Sequence, residues 1–475
     1  MNMTSTVPIA EPSRARPLGL INLILILGTI TTLLDSTIVN IALDQLRIVF
    51  DASVADTQWI VAGYLLAYVA VIPVSGWASE RFGARRVWMF AVGVFLLGSL
   101  LCGVAWSLPS LIGFRVLQGI GGGMVLPVSI TLLSRVAGKD RMGGSIALIG
   151  FVGQLAPILG PIIGGSIIAS IGWNWLFFVN IPICFAALIL GRLFLPASPR
   201  DRTKHLDVLG LVLLTPGVVG IAYGISKAAG SGGFGAPDVW IPLAIGVALV
   251  AAFVLHSLRA RRPALLDVRV FARRSFGLSS VITFVGGFSL YALMFLIPLF
   301  YQQVRGESVL ATGFLLIPQG LGTMCFILLY RRFAGRVDTR LIVGGGVVLM
   351  MLGVLPFATV GATGGDALLL IGQFFQGFGM GAASMPIMVL ALTNLSLEET
   401  PRGSAAFNVV QRVGAPFGVT VIAVLLQSFL LGATTPQQAV GAFGATFWWV
   451  IALSAIPLIL AALLPRPAIA RPDRK

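Results

Sequence analysis

The sequence predicts an all-α membrane protein of fourteen transmembrane helices: two six-helix halves with two further helices inserted between them. Three observations lead there. First, the 475 residues are 57% hydrophobic and only 10% charged, with a mean hydropathy of +0.97. A soluble domain carries about 25% charged residues, so lipid must be the solvent for much of this surface. Second, apolar runs of about 20 residues, the length that crosses a bilayer, recur along the whole chain. Third, segments of the first half reappear in the second half in the same order. This composition excludes a disordered chain, a disulfide scaffold and an ordinary soluble enzyme.

In chain order the runs lie near 18–43, 57–78, 87–107, 109–134, 143–170, 174–196, 208–226, 239–257, 276–301, 309–330, 340–361, 367–394, 403–431 and 443–464. The first is too long for a signal peptide, and no small-residue cleavage site with a polar segment follows it. Basic residues test the count. With both termini cytoplasmic, the outside loops hold only Arg47, Lys227 and Arg305, and the spans hold only Arg115 and Arg412. The remaining Lys and Arg face the cytoplasm. They include Arg81, Arg85, Arg86, Arg135, Lys139, Arg141, Arg200, Arg202, Lys204 and the group from Arg259 to Arg274. A miscount by one span would scramble this alternation. The net charge of +15 is thus read as topology facing an anionic inner leaflet, not as a nucleic-acid surface.

The organisation that follows is a cytoplasmic tail (1–17), a six-helix half (18–200), two inserted helices with their loops (201–275), a second six-helix half (276–465) and a cytoplasmic tail (466–475). The longest inside loop, 258–275, is too short for a folded domain. No GxxxxGK[ST] loop occurs, so ATP is not read as the energy source. Gly230 to Gly235 reads as a flexible outside turn. Cys102, Cys184 and Cys325 sit singly in apolar runs and read as core or lipid-facing residues. His205 and His256 are far apart, and no His, Cys and carboxylate cluster suggests a metal site or an enzyme. No cofactor is expected.

The repeat pairs Arg115-Val116-Leu117-Gln118-Gly119-Ile120-Gly121-Gly122-Gly123 with Gln373-Phe374-Phe375-Gln376-Gly377-Phe378-Gly379-Met380-Gly381. At nearly the same offset, Ala156-Pro157 matches Ala415-Pro416 and Gly76 matches Gly335. Parallel six-helix halves of this kind mark a transporter that rocks around a central site.

Several residues are costly where they lie. Asp35 sits deep in the first span, where a carboxylate needs a cavity, a partner or a proton. Its repeat counterpart falls near Leu293 or Met294, so symmetry does not explain it. Arg115, in the fourth span, must face the interior and is a direct or water-linked partner for Asp35. Arg412 either snorkels to the interface or faces the cavity. Gln118, Gln154, Gln302, Gln303, Gln319, Gln373, Gln376 and Gln411 add neutral polar groups near the spans. Asn40, Gln118, Gln154, Gln376 and Arg412 are the candidate substrate contacts. Gly76, Glu80, Arg81, Gly83, Arg85 and Arg86, between the second and third spans, suit a tight charged turn that latches one conformation. Ala156, Pro157, Gly160, Pro161, Gly164 and Gly165 would bend the fifth span and let a neighbour pack closely.

Together these segments resemble the major facilitator superfamily, in particular its fourteen-span drug:proton antiporters of the quinolone and quaternary-ammonium exporter type. Residues 76–86 resemble that family's loop motif and 34–43 its first-span motif. Residues 115–119 resemble the fourth-span motif with its buried arginine, and 156–165 the fifth-span antiporter motif. There are departures. Glu80 stands where the loop motif has Asp, Ala156 where the fifth-span motif begins with Gly, and Asp44 where the first-span motif ends in Pro. The second-half loop copy is degraded to 335–340.

The resemblance implies the major-facilitator fold and proton-coupled export of hydrophobic or amphipathic small molecules. Asp35 would be the proton carrier, tuned by Arg115. It implies a bacterial cytoplasmic membrane protein working as a monomer, joined by a periplasmic adaptor only in a double-membrane envelope. A proton-coupled importer of the same fold and an uncoupled uniporter or sensor are the alternatives.

Overall fold

A computed structural model describes residues 17–464 except 53, 204, 232–234, 261–264, 334–335, 360–364, 394, 397–398 and 431–434. Both tails and Gly335 of the repeat therefore lie outside the described residues. The described residues are helical throughout, with no strand among them. In order the helices are α1 (Leu18–Val49), α2 (Val54–Ala78), α3 (Ala84–Gly103), α4 (Leu108–Ser170), α5 (Trp175–Phe178), α6 (Asn180–Phe194), α7 (Val208–Ser231) and α8 (Pro237–Arg259). They continue as α9 (Arg274–Gln303), α10 (Val309–Leu315), α11 (Ile317–Phe333), α12 (Thr339–Thr359), α13 (Asp366–Thr393), α14 (Thr400–Leu430) and α15 (Pro436–Ala462).

Every apolar run read from the sequence overlaps one of these helices. Eleven segments are long and apolar enough to cross a membrane, with a shorter apolar helix at Gly418–Leu430. That number is below fourteen for two reasons. Trp59–Gly103 contains two expected spans, because α2 and α3 are joined by one turn of π-helix at Ser79–Gly83 instead of a loop. The second arm of α4 and the first part of α14 include side chains outside the described residues. The fourth and fifth expected spans are two helical arms of α4 that meet at a kink at Gly138 (φ 65°, ψ 170°), a conformation that glycine adopts without strain.

Small residues set the packing. A Cβ on Gly119 would lie 2.4 Å from the Tyr64 carbonyl oxygen of α2, and one on Gly121 would lie 2.4 Å from the Phe95 nitrogen of α3. Their repeat counterparts do the same. A Cβ on Gly377 would meet the Gln319 carbonyl of α11 at 1.9 Å, and one on Gly379 the Gly346 carbonyl of α12 at 2.3 Å. The sequence repeat is therefore a repeat of packing: α4 and α13 each lie against two neighbours at backbone contact distance.

The apolar core is unequal along the molecule. At the end carrying Arg81 and Arg85 it is continuous across both halves, from Val87, Val128 and Ile146 to Phe276, Ala391 and Phe407. Toward the other end it divides. Leu34, Ile38, Leu46, Ile60, Leu111 and Phe177 form one cluster in the first half; Leu293, Phe300, Phe357, Ile422 and Phe447 form another in the second. The halves thus share one apolar core at that end, while toward the other end each half has a core of its own and α10 of the second half packs against α4 of the first.

The inserted pair is tied to both halves. Tyr223 of α7 stacks on Trp59 of α2 at 6.0 Å, the Thr215 hydroxyl donates to the Ala70 carbonyl (3.2 Å), and the Thr420 hydroxyl of α14 donates to the Ile225 carbonyl (3.1 Å). Asp207 anchors the pair, accepting from the Gly210 amide (2.8 Å) and the Leu265 amide (3.1 Å) and lying 3.0 Å from the His256 ring. Burial alone would raise its pKa, but the hydrogen bonds from Gly210, Leu265 and His256 outweigh that and hold it below the usual carboxylate range.

Candidate functional site

Asp35 and Arg115 meet where the continuous core gives way to the divided one. Both are completely buried and form a direct ion pair through Asp35 Oδ2 and Arg115 Nη1. The second carboxylate oxygen, Oδ1, accepts from Gln118 Nε2 (2.9 Å) and from Asn180 Nδ2 (3.0 Å). Both amides also donate to Ser99 Oγ, at 2.6 and 3.3 Å. The Asp35 carboxylate is thus satisfied by α4 and α6, with Ser99 of α3 orienting the amides.

Arg115 is held independently of Asp35. Its Nη1 also donates to Gln118 Oε1 (2.7 Å), and its Nε donates to the Ile60 carbonyl (3.2 Å). The Tyr64 ring lies 4.1 Å from the guanidinium carbon, a desolvated cation–π contact, while Nη2 has no acceptor among the described residues. The Tyr64 hydroxyl donates to the Thr32 carbonyl (3.1 Å), one turn before Asp35. Tyr64 therefore fixes the arginine and braces α1. A fully buried ion pair is weak evidence for stability. Its retention with a complete set of donors points to function.

The charged turn closes the end with the shared core. Both Glu80 carboxylate oxygens accept from Arg402, from Nε and Nη2, each at 2.8 Å. Arg402 lies in the first turn of α14, so this bidentate pair joins the two halves, near the positive end of that helix. Gly76 permits the approach: a Cβ there would lie 3.0 Å from the Pro401 carbonyl. Gly83 has φ +88° and lies against the Ser198 carbonyl. Arg81 donates to the Arg202 carbonyl and Arg85 to the Arg192 carbonyl, pinning the turn to the last turn of α6 and the segment after it; Arg86 is exposed. A second pair, Arg273 Nη1 to Glu399 Oε2 at 2.9 Å, lies beside it. The Ser396 amide and Arg273 hold Glu399 below the usual carboxylate range.

The 156–165 segment stays helical and lies against α1 one turn beyond Asp35. The Thr37 hydroxyl donates to the Ala156 carbonyl (3.0 Å), a Cβ on Gly160 would lie 2.3 Å from Thr37 Oγ1, and one on Gly164 would lie 3.3 Å from Ile38. Gly165 faces open space. The interruption of α4 lies at Gly138, not within this segment. The side chains of Pro157 and Pro161 lie outside the described residues.

A cavity of about 140 Å³ opens in the second half and reaches α4 at Ile146. Met350, Met380, Met385, Met388, Phe407 and Gln411 are among its lining residues. Thioethers are polarisable and flexible, so such a wall adapts to varied apolar shapes. Of the candidate substrate contacts, Gln118 is placed elsewhere, in the Asp35 network. Gln376 is also fully buried, does not line this cavity, and its amide finds no partner among the described residues. The physical reason is shared: as repeat counterparts, both face the interior of their own half instead of the space between the halves. The side chains of Asn40, Gln154 and Arg412 lie outside the described residues. Ser99, Asn180, Tyr64 and Arg402 were not singled out from the sequence. The signal for Asn180 is an amide set inside the apolar run 174–196, six residues after Asn174 at its start.

Comparison with known proteins follows from this geometry. The profile of the Major Facilitator Superfamily matches residues 25–419 and 282–475. The "Multidrug resistance protein B homolog" of Mycobacterium tuberculosis is 37% identical over 403 residues, covering 84% of this chain and 75% of that protein. A relative from Serratia proteamaculans, also named among multidrug resistance proteins, is 29% identical over 83% of this chain and 82% of its own length. Among solved structures, the human organic anion transporter MFSD10 superposes with a TM-score of 0.65 at 16% identity, covering 95% of this chain and 100% of that one. The proton:xylose symporter XylE superposes with a TM-score of 0.63 at 14% identity, covering 94% and 96%. These two share the fold. The chain is therefore a multi-pass membrane protein that belongs to the Major Facilitator Superfamily of transporters, and not an enzyme.

Proposed function

We propose that this protein is a multidrug exporter of the bacterial cytoplasmic membrane that expels hydrophobic or amphipathic small molecules in exchange for protons entering the cell. The end carrying Arg81 and Arg85 is the cytoplasmic one by the positive-inside rule. The observation that carries the reading is the completely buried Asp35, held by Arg115, Gln118 and Asn180 where the shared core divides. The names of the relatives support efflux of drugs.

Charge balance supplies the coupling. With Asp35 ionised, the pair with Arg115 is neutral and the site remains dry. A proton arriving from outside on Asp35 cancels the carboxylate and leaves Arg115 as an uncompensated buried cation, a state costing several kcal/mol. Opening the other face admits water and relieves that cost. Proton release to the cytoplasm restores the pair. Substrate binding from the cytoplasm or inner leaflet favours that release, and the methionine-lined cavity suits neutral or monocationic amphiphiles. Glu80 and Arg402 latch the cytoplasmic face in the state seen here.

Inside-out vesicles energised by an acid interior test this. The native protein accumulates a lipophilic dye, and a protonophore collapses the accumulation. Asp35→Asn mimics the protonated state, so it inserts normally yet loses gradient-driven accumulation. Undiminished uphill accumulation by that variant would refute the reading.

A further inference from the structure

Asn180 stands apart from every motif segment read in the sequence, yet it touches the carboxylate at the centre of the site. It begins α6, following Val179, whose backbone is helical (φ −58°, ψ −26°). Its side chain is buried, and its Nδ2 lies 3.0 Å from Asp35 Oδ1 and 3.3 Å from Ser99 Oγ. The other amide at this site is fixed at both ends: Gln118 Oε1 accepts from Arg115, and Gln118 Nε2 serves Asp35 and Ser99. Asn180 contacts the site through Nδ2 alone.

Chemistry distinguishes the three donors. A guanidinium can only donate, so Arg115 serves the ionised carboxylate best; to the acid it can still donate at the carbonyl oxygen but cannot accept the O–H. A primary amide can serve both forms. Nδ2 donates to the carboxylate; after rotation about its terminal torsion, Oδ1 accepts from the carboxylic O–H. The groups facing Asp35 from each neighbouring element are Arg115 of α4, Cys102 of α3 and Cys184 of α6, with Tyr64 of α2 behind the arginine. The two thiols and the phenol are uncharged at neutral pH by their ordinary values. Beyond the arginine, the balance between the two forms of Asp35 therefore rests on the amides.

We propose that Asn180 is a positioning residue for the coupling carboxylate: it holds Asp35 in the orientation that pairs with Arg115 and sets the pH at which Asp35 loads and releases its proton. This rests on the reading of Asp35 as the proton carrier.

Removing the Asn180 donor weakens the ionised form relative to the acid, so Asp35 holds its proton to higher pH. One charge-assisted hydrogen bond corresponds to a shift of about one pH unit. The test uses purified protein in vesicles and measures dye transport against pH for the native protein, Asn180→Leu, Asn180→Ala and Asp35→Asn. Leu keeps the volume and Ala adds no bulk, so at least one inserts. In parallel, the infrared carbonyl band of the protonated carboxyl, assigned by its loss in Asp35→Asn, is titrated. The expected result is a shift of both the transport profile and the band by about one unit to higher pH in the Asn180 variants. A lower maximal rate with an unmoved profile and band makes Asn180 merely structural and overturns the inference. A profile that Asp35→Asn leaves gradient-driven overturns the underlying reading instead, and with it this proposal.

Discussion

The site is held together by residues that would each be unstable alone. Arg115 is fully buried; Asp35, Gln118, the Ile60 carbonyl and the Tyr64 ring take the place of bulk solvent around it. Tyr64 matters most when Asp35 is protonated, because its ring, 4.1 Å from the guanidinium carbon, is then the nearer of two rings, with Phe177 at 5.9 Å, that answer the cation with negative π-density. A desolvated cation–π contact is worth about 2 kcal/mol and the phenol hydrogen bond to Thr32 about 1 kcal/mol. Tyr64→Leu therefore lowers the stability of the detergent-solubilised protein by about 2–3 kcal/mol, whereas Tyr64→Phe loses only the smaller part. Thermal unfolding of the two variants checks this, and equal losses would show that the ring contributes nothing. At this scale the sequence disclosed what is expensive. A carboxylate and a guanidinium at membrane depth are conspicuous anywhere. Ser99, Asn180 and Arg402 are not: a single hydroxyl or amide in an apolar run is common, and its partner lies far along the chain.

The helices were legible because their pattern is physical at every position. Bilayer thickness fixes the length of a span, and the glycines of 119–123 and 377–381 mark where backbones touch. The joints were less legible. The joints are tighter than loops: 79–83 is a single π-turn ending at Gly83 (φ 88°), and the fourth and fifth spans meet at a kink at Gly138 (φ 65°), so one glycine at positive φ redirects the chain at each joint. Contact through glycine gives a sharp contrast. A Cβ on Gly121 would overlap the backbone of α3, whereas Gly93 on α3 itself has nothing within 4 Å. Gly121→Leu should reduce membrane-inserted, monodisperse protein severely, by overpacking worth about 3 kcal/mol or more, and Gly93→Leu should not. Yield and size-exclusion profile measure both; similar behaviour of the two would contradict close packing of α4 on α3.

For the whole molecule the informative feature is the unequal core. The apolar cluster at the latch end spans both halves, whereas the clusters beyond Asp35 each belong to one half, so the latch end is a closed face in this state. The Glu80–Arg402 pair is positioned to favour that state, since each half contributes one partner. Hydrogen bonds to charged groups contribute about 1.5–3 kcal/mol. Glu80→Ala should thus raise thiol labelling of a cysteine placed at Ser404, which is buried in this seam and donates to the Pro127 carbonyl, by about tenfold or more. The charge-reversed double variant Glu80→Arg, Arg402→Glu should restore slow labelling. Failure of the reversal to restore it would remove the latch from the mechanism. No periodicity reveals this pairing. The repeat relates the halves to each other, and a contact between them at one face belongs to a single conformation.

The proposed exchange requires that the proton on Asp35 and the substrate exclude each other. The direct measurement is proton release. The dye that the native protein accumulates is added to purified protein in weakly buffered solution, and the pH is followed with an indicator. Release that saturates with the dye in the native protein and vanishes in Asp35→Asn is the predicted result. Dye binding by the native protein without release, or equal release from Asp35→Asn, would contradict the account.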